Sequence, residues 1–334
     1  MAGISKMNIE RIVADGDLDG LLSAAIVRRV WADVPVRFSH PAEVRRGDVD
    51  DWMTRQTAVL DLPFHPSCGL HIDHHLTNKP TPEQQKNAAK DGCIIVWEDA
   101  LSAARVCFNT FHELVDLGDI AVWMNMVDKL DGGKISREEF LSDHPIVWIG
   151  RTINASDDSF CQLLLENIVN GMGPDDLVKN PIVAEKISHS KDEFRKLQSM
   201  LDECTEVVDR MAIVRLEDKG VRTNGYLVTA TFGDKCDACM IIHGYSDTEG
   251  DEEKWPLSAS FYSNSFLHHD GGVFDLTTLA TAFDRDGGGH ANACGCRIQP
   301  LSKQGLREER DVVFEDIEKN IDYWLSKWVH GSNQ

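Results

Sequence analysis

The chain has 334 residues, 42% of them apolar, enough to bury a substantial core and to form two domains. Its 34 basic residues stand against 55 acidic ones, a formal net charge of −21, which argues against a surface that tracks long nucleic acid by neutralising phosphates. No apolar run approaches the roughly 18 residues needed to span a bilayer, and no signal-peptide core stands near residue 1, so a cytosolic location is expected and a membrane is not.

In chain order, residues 8–14, 34–38, 57–61, 70–72 and 94–97 are short β-rich runs that alternate with helical patterns such as those over 21–31 and 101–115. That alternation predicts an α/β fold built on a parallel sheet. A polar stretch over 170–176 marks a boundary, and the charged periodic pattern over 182–208 predicts one long helix. After it come runs over 211–216, 226–232, 240–245 and 257–262, read as strands of a second domain. An active site is expected in the cleft between the two halves.

Three of the early strands end in acidic residues. The first runs through Ile12, Val13 and Ala14 into Asp15, Asp17 and Asp19, the next through Val59 and Leu60 into Asp61, and another into Asp73, His74 and His75. In an open α/β sheet, ligands bind at the carboxyl ends of strands. Carboxylates with neutral imidazoles suit Mn²⁺ or Mg²⁺, whereas a thiolate-rich set would point to zinc or iron–sulfur. Two such cations about 3.5–4 Å apart lower the pKa of a bridging water and neutralise charge on phosphoryl oxygens, the requirement of phosphate ester hydrolysis. Acidic residues at strand ends also cap helices, but caps do not explain a double histidine.

The ordered set Asp17-Leu18-Asp19-Gly20, Leu60-Asp61, Asp73-His74-His75, Val127-Asp128 and Gly287-Gly288-Gly289-His290 resembles the DHH phosphoesterases, and within them the group with a DHHA1 second domain. The resemblance spans nearly the whole chain. It implies a parallel-sheet DHH domain over 1–180, a helical connector over 181–210 and a smaller α/β DHHA1 domain over 211–330. It implies two Mn²⁺ ions, with Mg²⁺ or Co²⁺ as substitutes, in which Asp17 and Asp19 are ligands of the first and second ion, Asp61 the bridge, His74 a ligand and Asp128 the fourth-motif ligand. His75 would act on the phosphate or leaving group, with Asp73 supporting it. Many relatives carry a histidine where this chain has Val13; Asp15 is the residue that substitutes there, as in the RecJ-like branch.

The glycine run Gly287, Gly288, Gly289 with His290 and Asn292-Ala293-Cys294-Gly295 resembles the family's substrate-binding segment. Consecutive glycines let backbone amides approach an anion closely, although such runs are also plain turns. The family's preceding strand commonly carries an arginine followed by serine that grips a terminal phosphate. Here the match is Tyr262-Ser263, so Tyr262 stands at a substrate position without the bidentate clamp.

Other patterns carry blander readings. Residues 128–139 resemble a calcium EF-hand loop, but Leu130 and Gly132 occupy positions that need side-chain oxygens, so a turn is preferred. Nine scattered cysteines fit reduced thiols, and Cys236, Cys239, Cys294 and Cys296 are read as core residues before a zinc site. His40, the His268-His269-Asp270 run and Arg105 are read as surface residues, Arg105 in a salt bridge.

The function expected is hydrolysis of short oligonucleotides or a linear dinucleotide to nucleoside monophosphates, with a homodimer admitted. Alternatives are a polyphosphate or pyrophosphate hydrolase, a cyclic-dinucleotide phosphodiesterase and a RecJ-like single-strand exonuclease. A nucleotide-sensing module with a relic site is the non-enzyme reading, and the intact set of ligand types speaks against it.

Overall fold

The computed structural model describes residues 3–244 and 257–331, so the tail of the predicted 240–245 strand, Tyr245, lies outside the described residues. The chain divides into two compact units, one of residues up to Ile135 together with Ser142–Lys191, the other of Ser136–Leu141 and the chain from Asp192 onward.

The first unit runs β1 (Arg11–Asp15), α1 (Leu18–Val30), β2 (Val36–Ser39), α2 (Pro41–Arg46), β3 (Thr57–Leu60), β4 (Leu70–Asp73), α3 (Pro82–Lys90), β5 (Ile94–Trp97), α4 (Ala103–Phe111) and α5 (Ala121–Asp131). A short helix, α6 (Arg137–Leu141), groups with the second unit. The chain then returns through α7 (Pro145–Thr152), α8 (Asp158–Val169), α9 (Pro174–Leu177) and α10 (Pro181–Cys204), the last of which continues into the second unit. The five strands of the first unit form a wholly parallel sheet in the order β2-β1-β3-β4-β5. Strands with neighbours on both sides and helices on the faces must be apolar throughout, and Ile12, Val13, Ala14 and all of β3 are buried. Helix α1 packs on α4 and α8. Its first turn is capped by Asp17, whose Oδ1 accepts from the Gly20 amide at 2.9 Å.

In the second unit, β6 (Thr205–Val208), β7 (Met211–Arg215), α11 (Gly225–Phe232), β8 (Ala238–His243), β9 (Ser258–Ser263), α12 (Thr277–Ala280), β10 (Gly288–His290), β11 (Ala293–Arg297) and α13 (Glu315–Gly331) follow. The sheet order is β10-β11-β9-β8-β7-β6, with only β7 and β8 parallel. Strand alternation sorts the core onto two faces. Met211, Ile213, Met240, Ile242 and Phe261 meet Trp324 and Trp328 of α13. Ala212, Val214, Cys239 and Ile241 meet Leu201 of α10 and Leu227 and Val228 of α11.

Two expected elements change. The 226–232 run is a helix, α11, not a strand. A continuous apolar run suits either, and Asn224 decides it by capping the first turn through an acceptor bond from the Leu227 amide. The long helix expected over 182–208 stops at Cys204, and 205–208 joins the sheet as the edge strand β6. The zinc alternative does not form: Cys236 and Cys239 lie in one core and Cys294 and Cys296 in the other, on opposite faces of the sheet.

Candidate metal centre

The acidic strand ends belong to three neighbouring strands, β1, β3 and β4. Between β1 and β3 the strand order reverses, the place where open α/β sheets leave a crevice. Asp15 closes β1, Asp61 follows β3, and Asp73 closes β4. Asp61 holds φ +58°, a left-handed conformation uncommon outside glycine, while its amide donates to the Ile72 carbonyl at 2.9 Å.

Among the described residues, three groups bring potential ligand atoms within 4.8 Å of one another: Asp61, Asp73, His74 and His75; Asp19, His74 and Asp131; and Asp15, Asp17 and Asp61. Asp61 and His74 each belong to two groups. His74 Nε2 lies 3.8 Å from carboxylate oxygens of Asp19 and of Asp61 and 3.0 Å from Oδ2 of Asp131. Its other nitrogen, Nδ1, is 3.1 Å from the Ala100 carbonyl, which can only accept, so Nδ1 carries the proton and Nε2 faces the carboxylates. Asp17, the α1 cap, is exposed at the rim.

The electrostatics of this cluster call for a cation. Asp61 is 1% exposed, and neither of its carboxylate oxygens has a hydrogen-bond partner among the described residues. Burial, and then the charges of Asp19, Asp17 and Asp131, push its carboxyl well above the usual range. Asp19 is raised by burial, Asp131 and Asp17, against the opposing pull of the Ala104 and Ala103 amides. Asp15 is raised to about 7 by burial and the neighbouring Asp17. Burial disfavours a charged His74, but the bond to Asp131 and the nearby carboxylates win and raise it to about 9. Buried carboxylates stay charged when paired or coordinating a metal. An all-oxygen and imidazole donor set with unpartnered Asp61 oxygens fits hard or borderline divalent cations such as Mn²⁺ or Mg²⁺.

Asp73 differs from its neighbours because it is saturated with donors. Its Oδ1 accepts from the His74 and His75 amides at 2.7 and 3.0 Å and from His75 Nδ1 at 2.9 Å, and its Oδ2 accepts from Asn78 at 2.8 Å. Burial works against the charge, yet the bonds from His75 outweigh it and hold the carboxyl below its ordinary range. The His75 ring is thereby oriented, with 44% of its side chain exposed. The His75 carbonyl accepts from the Trp97 indole at 3.0 Å, and Lys79 Nζ lies 4.4 Å from the centre of the Trp97 ring.

Asp128 and Asp131 are distributed differently from expectation. Asp128 is in none of the three groups, and its carboxylate accepts from Ser102 Oγ and from the Arg105 guanidinium. Asp131, which the sequence reading does not single out, stands beside His74. A signal exists for it: Trp123 and Val127 are 0% and 1% exposed, and Asp131 continues their i, i+4 stripe on α5. An acidic residue on the apolar stripe of a helix needs a partner.

In the second unit, Gly288, Gly289 and His290 form the short strand β10. Gly289 has φ +138°, and a Cβ there would sit 2.6 Å from the Ala293 carbonyl, so the tight hairpin itself requires glycine. His290 is exposed. Tyr262 pairs with Cys239 and Ala293, and a Cβ on Gly225 would fall 2.2 Å from its own Cβ, so α11 seats directly on it. Of the side histidines, His40 caps α2 through Nδ1, and His268 pairs with Asp237 at 2.9 Å.

No family model and no curated protein matches the chain in sequence. Among solved structures it is similar to a pGpG-specific phosphodiesterase, PggH, from Vibrio cholerae, with a TM-score of 0.74 at 18% identity over 96% of this chain and 99% of that one. A DHH-domain protein described as a member of a family of ribosomal proteins gives 0.56 at 13% identity over 97% and 88%. A manganese-bound RecJ exonuclease gives 0.53 at 13% identity over 97% and 93%.

Proposed function

We propose that this chain, which has the fold of the DHH phosphodiesterases and nucleases, is a divalent-metal-dependent phosphodiesterase that hydrolyses linear dinucleotides or short oligonucleotides to nucleoside monophosphates. The observation that carries this is Asp61, a buried carboxylate without a hydrogen-bond donor among the described residues, shared between two clusters of potential ligands. Asp15, Asp17, Asp19, Asp61, His74 and Asp131 are proposed to hold two ions, Mn²⁺ in the first instance. Such ions supply Lewis-acid polarisation of the phosphoryl group and a water of lowered pKa.

The chain's own residues do the rest. His74 gives its protonated Nδ1 to the Ala100 carbonyl and so presents Nε2 as a ligand. Asp73 holds Nδ1 of His75, and the bond raises the His75 pKa above its ordinary value, so that the ring can carry a proton to the leaving oxygen. His290 and the neighbouring glycines are proposed to bind substrate rather than to take part in bond breaking. The net charge of −21 favours small anions over polymers, because few phosphates of a long strand would find a cation.

A hydrolysis screen with added Mn²⁺ tests the reading, comparing linear dinucleotides, 5-mers, 20-mers, cyclic dinucleotides and polyphosphate. Linear dinucleotides should be cut fastest. Processive digestion of 20-mers at equal rates would favour an exonuclease, and turnover of polyphosphate alone would remove the need for a nucleotide.

A further inference from the structure

Asp128 lies outside every group of potential ligands among the described residues, yet it and its partner Arg105 each sit on a helix that carries or holds one of those ligands. We propose that the Arg105–Asp128 pair is a clamp that sets the spacing of Asp19 and Asp131 about one cation, so that both are positioning residues; this rests on the metal reading above.

Asp19, 2% exposed, accepts from the first two amides of α4, Ala103 N to Oδ2 at 2.6 Å and Ala104 N to Oδ1 at 2.7 Å. The third amide, of Arg105, donates to Ser102 Oγ at 3.0 Å. The orientation of the Asp19 carboxylate is therefore fixed by the first turn of α4. That turn is tied to α5 by one acceptor: Asp128 Oδ1 takes the Ser102 hydroxyl at 2.7 Å, and Oδ2 takes Arg105 Nε at 3.0 Å and Nη2 at 2.6 Å. Ser102 is fully buried and Asp128 8% exposed, so the hydroxyl bond is shielded from water, while the Arg105 side chain, 31% exposed, leaves the ion pair partly screened. Nearly one turn further along α5 stands Asp131, 3.0 Å from His74 Nε2 and grouped with Asp19 and His74. Helix α4, by holding Asp19, and helix α5, by carrying Asp131, thus present two carboxylates to one imidazole, and the Arg105–Asp128 pair joins those two helices.

A planar guanidinium with two donors on one oxygen fixes distance and angle together, which an ammonium cannot reproduce. Partners behind metal ligands typically set affinity by about 10–100-fold without touching the ion. An ion pair serving only to hold α4 on α5 would change thermal stability and leave ion affinity alone.

The experiment is calorimetric titration of Mn²⁺ into metal-free protein, with thermal unfolding of each variant followed in chelator. Arg105→Ala should weaken Mn²⁺ binding by about tenfold or more, and Arg105→Lys should fall between it and the wild type. In an Asp131→Asn background, Arg105→Ala should cost no further affinity, because the spacing it sets has lost its second member. Should Arg105→Ala fail to fold, Arg105→Lys and Asp128→Asn carry the same comparison. Variants that melt earlier in chelator but bind Mn²⁺ within about twofold of the wild type, well short of that expectation, would overturn the clamp. Absence of Mn²⁺ binding by the wild type itself would instead remove the metal reading, and the clamp with it.

Discussion

His74 Nε2 lies 3.0 Å from Oδ2 of Asp131, three residues beyond the aspartate that the family pattern singles out. If Asp131 is the working carboxylate, Asp131→Asn keeps the shape but loses the charge, and kcat should fall by about 100-fold or more. Steady-state kinetics at saturating Mn²⁺ checks this. An Asp131→Asn enzyme with wild-type kcat would return the role to Asp128.

In the metal-free protein, burial and the carboxylates of Asp19 and Asp17 oppose the charge of Asp61, and its oxygens have no hydrogen-bond partner among the described residues, so the residue should cost stability there; its backbone sits at φ +58°. Asparagine tolerates that conformation and carries no charge. Asp61→Asn should therefore raise the melting temperature in chelator while abolishing the rise that Mn²⁺ gives the wild type. A variant that melts lower than the wild type in chelator would show that Asp61 is satisfied in some other way.

Trp97 donates its indole proton to the His75 carbonyl at 3.0 Å. Trp97→Phe keeps an aromatic face for Lys79 and removes only that donor, a loss on the order of 1 kcal/mol. The expectation is a fall of about fivefold in kcat with KM nearly unchanged, because the bond holds the loop of a residue proposed to act on the leaving oxygen. Unaltered kcat would detach Trp97 from the site.

His243, in the second unit, is 5% exposed, and burial together with the Arg222 charge lowers its pKa to about 4. A lowered folded-state value means that the unfolded chain binds the proton first as pH falls. Its contribution to stability is complete above about 6.5, declines as pH falls toward about 4, and then levels off. Denaturant unfolding of wild type and His243→Gln, followed from about pH 8 down to about pH 4, should show the wild type losing ground to the variant only below about 6.5. Parallel pH profiles would refute the buried neutral histidine.

Much of the first unit is written in the sequence because a fully covered parallel sheet demands uninterrupted apolar strands. The expected runs at 57–61, 70–72 and 94–97 match β3, β4 and β5 to within a residue. Asp15, Asp17, Asp19, Asp61, Asp73, His74 and His75 are legible for the same reason: they interrupt those runs at the ends where the sheet opens. Asp131 is legible only as an acidic residue continuing the Trp123, Val127 stripe of α5; that it meets His74 depends on how α5 packs on α1 and α4, which no local pattern contains. Helix α11 is hidden because eight largely apolar residues lack the alternation that separates strand from helix, and its cap, Asn224, stands just outside the run. Helix α13, whose Trp324 and Trp328 close one face of the second sheet, has no counterpart among the expected elements, although its buried positions recur at helical spacing.

The most direct test of the account is hydrolysis of a linear dinucleotide carrying a 5′-phosphate by protein stripped with chelator, before and after Mn²⁺ is restored, with products separated by chromatography. The expected result is no turnover when stripped and release of two nucleoside monophosphates on restoring Mn²⁺, with Asp61→Asn inactive in both conditions. Full turnover in excess chelator, or by Asp61→Asn, would contradict it.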